Sequence, residues 1–263
     1  MVISIILIAG LVAGSFVNAF VWRLHEHKDW IKGRSECIYC HHPLGVVDLI
    51  PVVSWIAIKG KCRYCHKAIS IQYPIVEALL SAVYVLSYLF WPNTIKGAEI
   101  VVFMLWLIIS TGLVALAIYD VRWMLLPSKI IYSLLAASSV MALITTLISN
   151  DRLSTFLSFI LGSLVGGGLF YVIFQVSKGK WIGGGDVRLG FLVGLLAATP
   201  ARSLLLLFIA SLLGATLTLC LIATRRLKRS SLVPFGPFLI IATFIVQLAG
   251  QPIIHWYSSL FLK

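Results

Sequence analysis

Residues 100–120 read IVVFMLWLIISTGLVALAIYD. Twenty positions pass without a charge, and the run ends on an aspartate, Asp120. About 20 mostly apolar residues are what a helix needs to cross a bilayer. The stretch reads as a spanning helix with a carboxylate at its edge.

The rest of the chain repeats the pattern. Its 263 residues are 60% hydrophobic and 11% charged, with a mean hydropathy of +1.01. A soluble domain cannot bury that much apolar surface, so the bilayer is the expected solvent. Eight segments are candidate spans: Val2–Trp22, Pro74–Phe90, Ile100–Tyr119, Ser128–Ile148, Leu153–Val176, Val187–Thr199, Ala201–Thr224 and Phe235–Leu260. The sixth is short, and Gly250 and Pro252 interrupt the eighth. The first lacks a basic lead-in and is long enough to span, so it reads as a retained helix rather than a cleaved leader. The expected fold is an all-α polytopic membrane protein of about eight helices. Residues 1–24 form the first helix, 25–73 a polar insert, and 74–263 the remaining transmembrane core.

A net charge of +12 raises the question of nucleic acid, but its distribution answers otherwise. With the N-terminus outside and the spans alternating, the inside loops collect the basic residues. Eight Lys/Arg fall in 23–73, two at Arg122 and Lys129, three in 178–188 and four in 225–229. The outside keeps Lys96, Arg152, Arg202 and Lys263. This is the positive-inside bias, so the basic balance reads as topology and contact with anionic lipid. No nucleic-acid partner is expected.

The insert carries CIYC (Cys37, Cys40) and CRYC (Cys62, Cys65), separated by 21 residues. Paired CxxC knuckles predict one tetrahedral Zn²⁺ on four thiolates, stapling a loop too small for its own core. Four sulfurs leave no open position for water, which argues against catalytic zinc. The cytosolic placement argues against disulfide chemistry. His41, His42 and His66 read as solvated loop residues, and Cys220 as a buried inert thiol.

Three acidic residues lie near membrane depth: Glu77, Asp120 and Asp186. Ionisable groups there are expensive and are functional suspects by default. Asp120 ends the third segment and Asp186 begins the sixth, so both fall at the cytosolic side. Facing carboxylates at one depth can share a proton, one serving as base and the other as acid. Simpler roles remain open for each alone: Asp120 as partner of Arg122 or Lys129, and Asp186 as cap of a helix beginning at Val187. Gly183, Gly184 and Gly185 would let an extended substrate backbone pass beside Asp186, or form a hinge. Glu77, after Pro74, reads as a favourable charge at a helix N-terminus. Gly10/Gly14, Gly162/Gly166 and Gly190/Gly194 have the spacing of close helix packing.

GSFVNAFVWRL (14–24), RSECIYC (34–40), DLIPVVSW (48–55), GKCRYC (60–65), ISIQYPIVEAL (69–79), YDVRWMLLP (119–127), GGGDVRL (183–189) and PFGPFL (234–239) resemble one family along almost the whole chain. It is the bacterial type IV prepilin peptidase, the leader peptidase/N-methyltransferase of pilus, type II secretion and competence systems. The chain departs from many relatives at His25, in CIYC, and at Ser81, Ser128 and Arg188. The resemblance implies that Asp120 and Asp186 are catalytic, and that zinc sits on Cys37, Cys40, Cys62 and Cys65. It implies cleavage of prepilin and pseudopilin precursors after a glycine, at the cytosolic face of the inner membrane. It also implies N-methylation with S-adenosylmethionine, for which no G-x-G-x-x-G fingerprint is present. Other function classes consistent with membrane acids are a cation or proton relay, and a scaffold of a pilus or secretion assembly.

Overall fold

The structure is a computed structural model that describes residues 1–29, 33–226, 228, 231 and 233–261. Lys32, Arg229 and Lys263, which enter the charge distribution above, lie outside the described residues. Nine α-helices are present among the described residues: α1 (Val2–His25), α2 (Val53–Ala57), α3 (Gln72–Leu89), α4 (Ala98–Trp123), α5 (Ser128–Ile148), α6 (Arg152–Ser177), α7 (Gly184–Ala197), α8 (Pro200–Ala223) and α9 (Gly236–Phe261). There is no sheet among them, only two isolated antiparallel bridges, Glu36 with Pro43 and Lys61 with Ala68.

Among the described residues seven helices are long and apolar enough to cross a membrane: α1, α3, α4, α5, α6, α8 and α9. The sixth expected span is different. Helix α7 has 14 residues. At 1.5 Å per residue it reaches about 21 Å, against a hydrocarbon core of about 30 Å. Its end is abrupt because Ala198 adopts a left-handed conformation (φ 66°). Thr199 then caps α8 by accepting the amide of Arg202 at 3.3 Å, with Pro200 at the first helical position. Little of α7 needs lipid, since Val187, Leu189, Gly190, Leu192, Val193, Gly194, Leu196 and Ala197 are all buried within the protein. The eighth expected span is present, without the interruption expected at Gly250 and Pro252. Helix α9 runs on through Pro252, and a nearby arginine, Arg202, donates through Nη2 to the Val246 carbonyl at 2.9 Å.

The helices fall into two compact units. The first comprises residues 1–90 and 110–115: α1, the insert, α2, α3 and one stretch of α4. Here Gly10 and Gly14 bring α1 against α3 so closely that a Cβ on either would lie 2.5 Å from a Cα of Ser81 or Glu77. Ser81 adds a bond across this contact, its hydroxyl donating to the Leu7 carbonyl at 2.9 Å. The second unit comprises residues 91–109 and 116–263. Its tightest contact is between α6 and α7. There a Cβ on Gly166 would lie 2.7 Å from the Gly194 Cα, so small residues set the spacing. Cys220 is exposed on the surface of α8 rather than buried. In a membrane helix an apolar position can face lipid as readily as protein.

Candidate active site and metal centre

Asp120 occupies the last turn of α4 and is buried, at 5% exposure. The helix closes just beyond it, where Met124 turns left-handed (φ 51°) and returns its amide to the Asp120 carbonyl at 2.8 Å. The carboxylate Oδ2 accepts the amide N–H of Gly236, the first residue of α9, at 3.1 Å. Among the described residues neither Arg122 nor Lys129 forms an ion pair with Asp120. Arg122 instead lies over the Trp123 ring, 5.6 Å from its centroid.

Asp186 is the third residue of α7, not the cap of a helix starting at Val187. The helix starts at Gly184 after an extended Gly183 (φ −74°, ψ 149°). From the first turn the Asp186 carboxylate reaches back to the Gly183 amide. A carboxylate there is favoured by the helix dipole and by unpaired amide donors. Gly183 is exposed, and a Cβ there would meet the Asp186 carboxylate at 3.4 Å and the Gly185 nitrogen at 4.0 Å. At Gly184 nothing would come closer than Phe174, at 4.0 Å. Gly185 differs, since a Cβ there would press on Leu126 at 3.0 Å.

Both aspartates belong to the second unit, and Leu189, one turn on from Asp186 in α7, stands with the Asp120 carboxylate against Gly236. Leu126, in the link from α4 to α5, packs beside Gly185. Arg188 donates to the Ser128 hydroxyl at the start of α5, and its guanidinium lies 5.8 Å from the Tyr132 ring centroid. These contacts tie the start of α7 to the segment that follows Asp120.

The four cysteines also converge. One ligand atom from each of Cys37, Cys40, Cys62 and Cys65 lies within 4.8 Å of the others. Zn–S bonds of about 2.3 Å in a tetrahedron put sulfurs about 3.8 Å apart. Cys37 and Cys65 have their sulfurs 3.8 Å apart. The donor set and spacing therefore fit zinc. The two knuckles repeat one backbone path. Cys37 N–H donates to the His42 carbonyl at 3.0 Å and Cys62 N–H to the Lys67 carbonyl at 2.8 Å. His41 (φ 56°) and His66 (φ 57°) supply the left-handed residue in each. Burial pushes the Cys37 thiol up, but the amides of Cys40 and Tyr39 and the neighbouring thiols outweigh it and leave it at about 7. At Cys65 the Lys67 amide pulls down, but burial and the neighbouring thiols push the other way, up to about 11, so the two values belong to one sulfur cluster sharing its charge. The histidines stay outside the sulfur cluster: His41 lies 3.7 Å from Glu36, and His42 packs on Tyr64.

Glu77 has a role the sequence did not disclose. It lies in the second turn of α3, and its Oε2 accepts the Val52 amide at 2.7 Å. Val52 sits at φ 61°, ψ −51°, an unusual backbone for a β-branched residue. The buried carboxylate thus holds a strained residue of the insert.

Residues 8–91 match the Bacterial Peptidase A24 N-terminal domain, and residues 101–219 match the Type IV leader peptidase family. The chain is 30% identical to a prepilin leader peptidase/N-methyltransferase of Aeromonas salmonicida (strain A449), over 98% of this chain and 94% of that protein. The chain belongs to the type IV leader peptidase family. A prepilin leader peptidase/N-methyltransferase of Bacillus subtilis (strain 168) is 29% identical over 99% of both chains, and one of Aeromonas hydrophila 29% over 98% and 94%. No solved structure gives a significant match. The type IV leader peptidase match contains both Asp120 and Asp186, and it ends before α9 begins at Gly236.

Proposed function

We propose that this chain is a membrane aspartic endopeptidase that removes the leader of type IV prepilin-like precursors and N-methylates the product. The observation that carries this reading is that Asp120 and Asp186 stand at two helix ends of one unit, with the Asp120 carboxylate and Leu189, one turn on from Asp186, both against Gly236. One carboxylate, ionised, takes a proton from water as its oxygen attacks the scissile carbonyl. The other, protonated, donates to the carbonyl oxygen as the C=O bond becomes a C–O bond. Collapse of the tetrahedral intermediate re-forms the C=O bond, returns the hydroxyl proton to the carboxylate that had donated it, and breaks the C–N bond. The proton first taken from water goes to the leaving nitrogen, giving a leader carboxylate and a free N-terminal amine. The exposed backbone at Gly183 and the half-buried backbone at Gly184 give an extended substrate a path beside Asp186.

The substrates are single-span prepilin and pseudopilin precursors that meet the site through the bilayer, with cleavage after a glycine. The basic residues near the site, Lys178, Lys180 and Arg188, support a position at the cytosolic face of the inner membrane through the positive-inside bias. Pilus, type II secretion or competence machinery is the setting in which such products are used. Cys37, Cys40, Cys62 and Cys65 would hold one structural zinc, which supplies cross-linking of the insert and no reaction step. S-adenosylmethionine supplies the methyl group. A cavity of about 400 Å³ lies beside Trp22, Arg23, Asp29 and Arg34. Its Lys28 is engaged by Glu36 at 3.1 Å and by the Trp22 ring at 4.5 Å. Lys28, Glu36 and Trp22 are thus committed to one another rather than to a methyl donor.

The test uses purified full-length protein and a prepilin peptide. Asp120→Asn and Asp186→Asn should each abolish cleavage while leaving helical content and metal content as in the wild type. Normal processing by either variant would end the aspartic reading. Ion flux without any pilin would favour a relay instead.

A further inference from the structure

We infer that Gly236, at the start of α9, is a positioning residue for the Asp120 carboxylate. The inference rests on the catalytic reading of Asp120 and adds a third element to that site.

Helix starts leave amide donors without helical partners. In α9 these are almost all accounted for. Pro237 has no N–H, and the amides of Phe238 and Leu239 both return to the Phe235 carbonyl, at 3.1 and 3.3 Å. The Gly236 amide, the donor left over in this turn, goes to Asp120 Oδ2 at 3.1 Å across 116 residues of sequence. The bond is buried. A Cβ at position 236 would sit 2.5 Å from that same Oδ2 and 3.5 Å from Leu189 Cδ2. Glycine is thus required by the closeness of the carboxylate, not by a special backbone angle. The preceding Phe235 packs against Phe170 and Phe238, with ring centroids at 6.0 and 6.4 Å, which holds the turn in place. Asp120 therefore has one oxygen fixed by a rigid amide. The other remains for water, substrate or Asp186.

Gly236→Ala should push the carboxylate off its position. Misplacement of about 1 Å costs on the order of 10²-fold in rate. We expect kcat for prepilin cleavage to fall by roughly that factor with KM within about twofold, and the pH–rate profile to move. Methylation of a pre-cleaved peptide should be unchanged, which reports an intact fold. Leu189→Val removes Cδ2 and gives the turn room to retreat, so adding it to Gly236→Ala should restore part of the loss. Gly214→Ala, whose methyl would make ordinary contacts with Phe238 at 3.4 Å and Phe235 at 3.6 Å and none with Asp120, should cleave normally. Cleavage by Gly236→Ala within about threefold of wild type would overturn the inference. So would an equal loss in Gly214→Ala, because the effect would then be general packing of α9. Should Gly236→Ala lose methylation too, the double variant decides: recovered cleavage supports the steric account, and further loss refutes it. Wild-type cleavage abolished by Asp120→Asn but untouched by Gly236→Ala would sink this inference alone and leave the proposed function standing.

Discussion

Replacing Glu77 should loosen one defined part of the insert and leave the rest of the first unit in place. Its carboxylate Oε2 accepts the Val52 amide at 2.7 Å. Val52 holds an unusual backbone, φ 61° and ψ −51°. Hydrogen bonds to charged groups contribute about 1.5–3 kcal/mol net. Strained backbone costs about 1–3 kcal/mol and persists only where its surroundings enforce it. In Glu77→Ala the bond is lost while the strain remains, so residues 50–57 should open more often. A loss of about 1.5–3 kcal/mol corresponds to a roughly 10- to 140-fold rise in the open population. Glu77→Gln keeps an acceptor oxygen and should give a smaller effect. Hydrogen exchange of the protein in detergent micelles, read on peptides covering Val52–Ala57, measures this directly. The Cys37–Cys65 sulfur cluster and α1 should keep wild-type protection. If Glu77→Ala exchanges at 50–57 like the wild type, the carboxylate is not what restrains Val52.

Other outcomes can be checked alongside. Freshly purified, reduced protein should carry about one zinc per chain by elemental analysis, and Cys62→Ser should lower that content and raise protease sensitivity in the insert. Gly194→Val should destabilise the second unit by at least about 1–3 kcal/mol, seen as a lower melting temperature in detergent, because the α6 backbone leaves no room for a side chain. Arg188→Lys should retain most cleavage. Arg188→Ala, which frees α7 from Ser128, should lose about 3- to 10-fold in kcat/KM, as expected for a small misplacement. Full activity in Arg188→Ala would show that the link between α7 and α5 does not align the aspartates.

The spans were legible because a run such as 100–119 has only one low-energy home in water or lipid. The cysteines were legible because ligand spacing within each knuckle is local. The aspartates stood out because few acids occur at membrane depth. What escaped was long-range or packing-driven. Nothing near Glu77 announces a partner 25 residues earlier, and nothing near PFGPFL points to Asp120, 116 residues away. The start of α7 was read three residues late, since glycine has poor helix propensity, yet tertiary contacts carry Gly184 and Gly185 into the helix. Cys220 was assigned to the interior because hydropathy has no contrast between lipid and protein core. That same loss of contrast hides which face of each span packs inward.

The shortness of α7 has a consequence for how the protein enters its membrane. At 14 residues, with glycines and an aspartate in its first turn, it offers an insertion machinery a weak signal for lateral release into lipid. Lipid has little to gain from a segment already wrapped by neighbouring helices. Its retention must then come from partners delivered just before and after it. Helix α6 presents Gly162 and Gly166 as a docking groove, and the turn at Ala198–Pro200 delivers α8 as the other arm of a hairpin. The α6–α7 contact is on this account a topogenic element. Disrupting it would leave Asp186 on a loop that never acquires its depth, a failure of biogenesis rather than of catalysis.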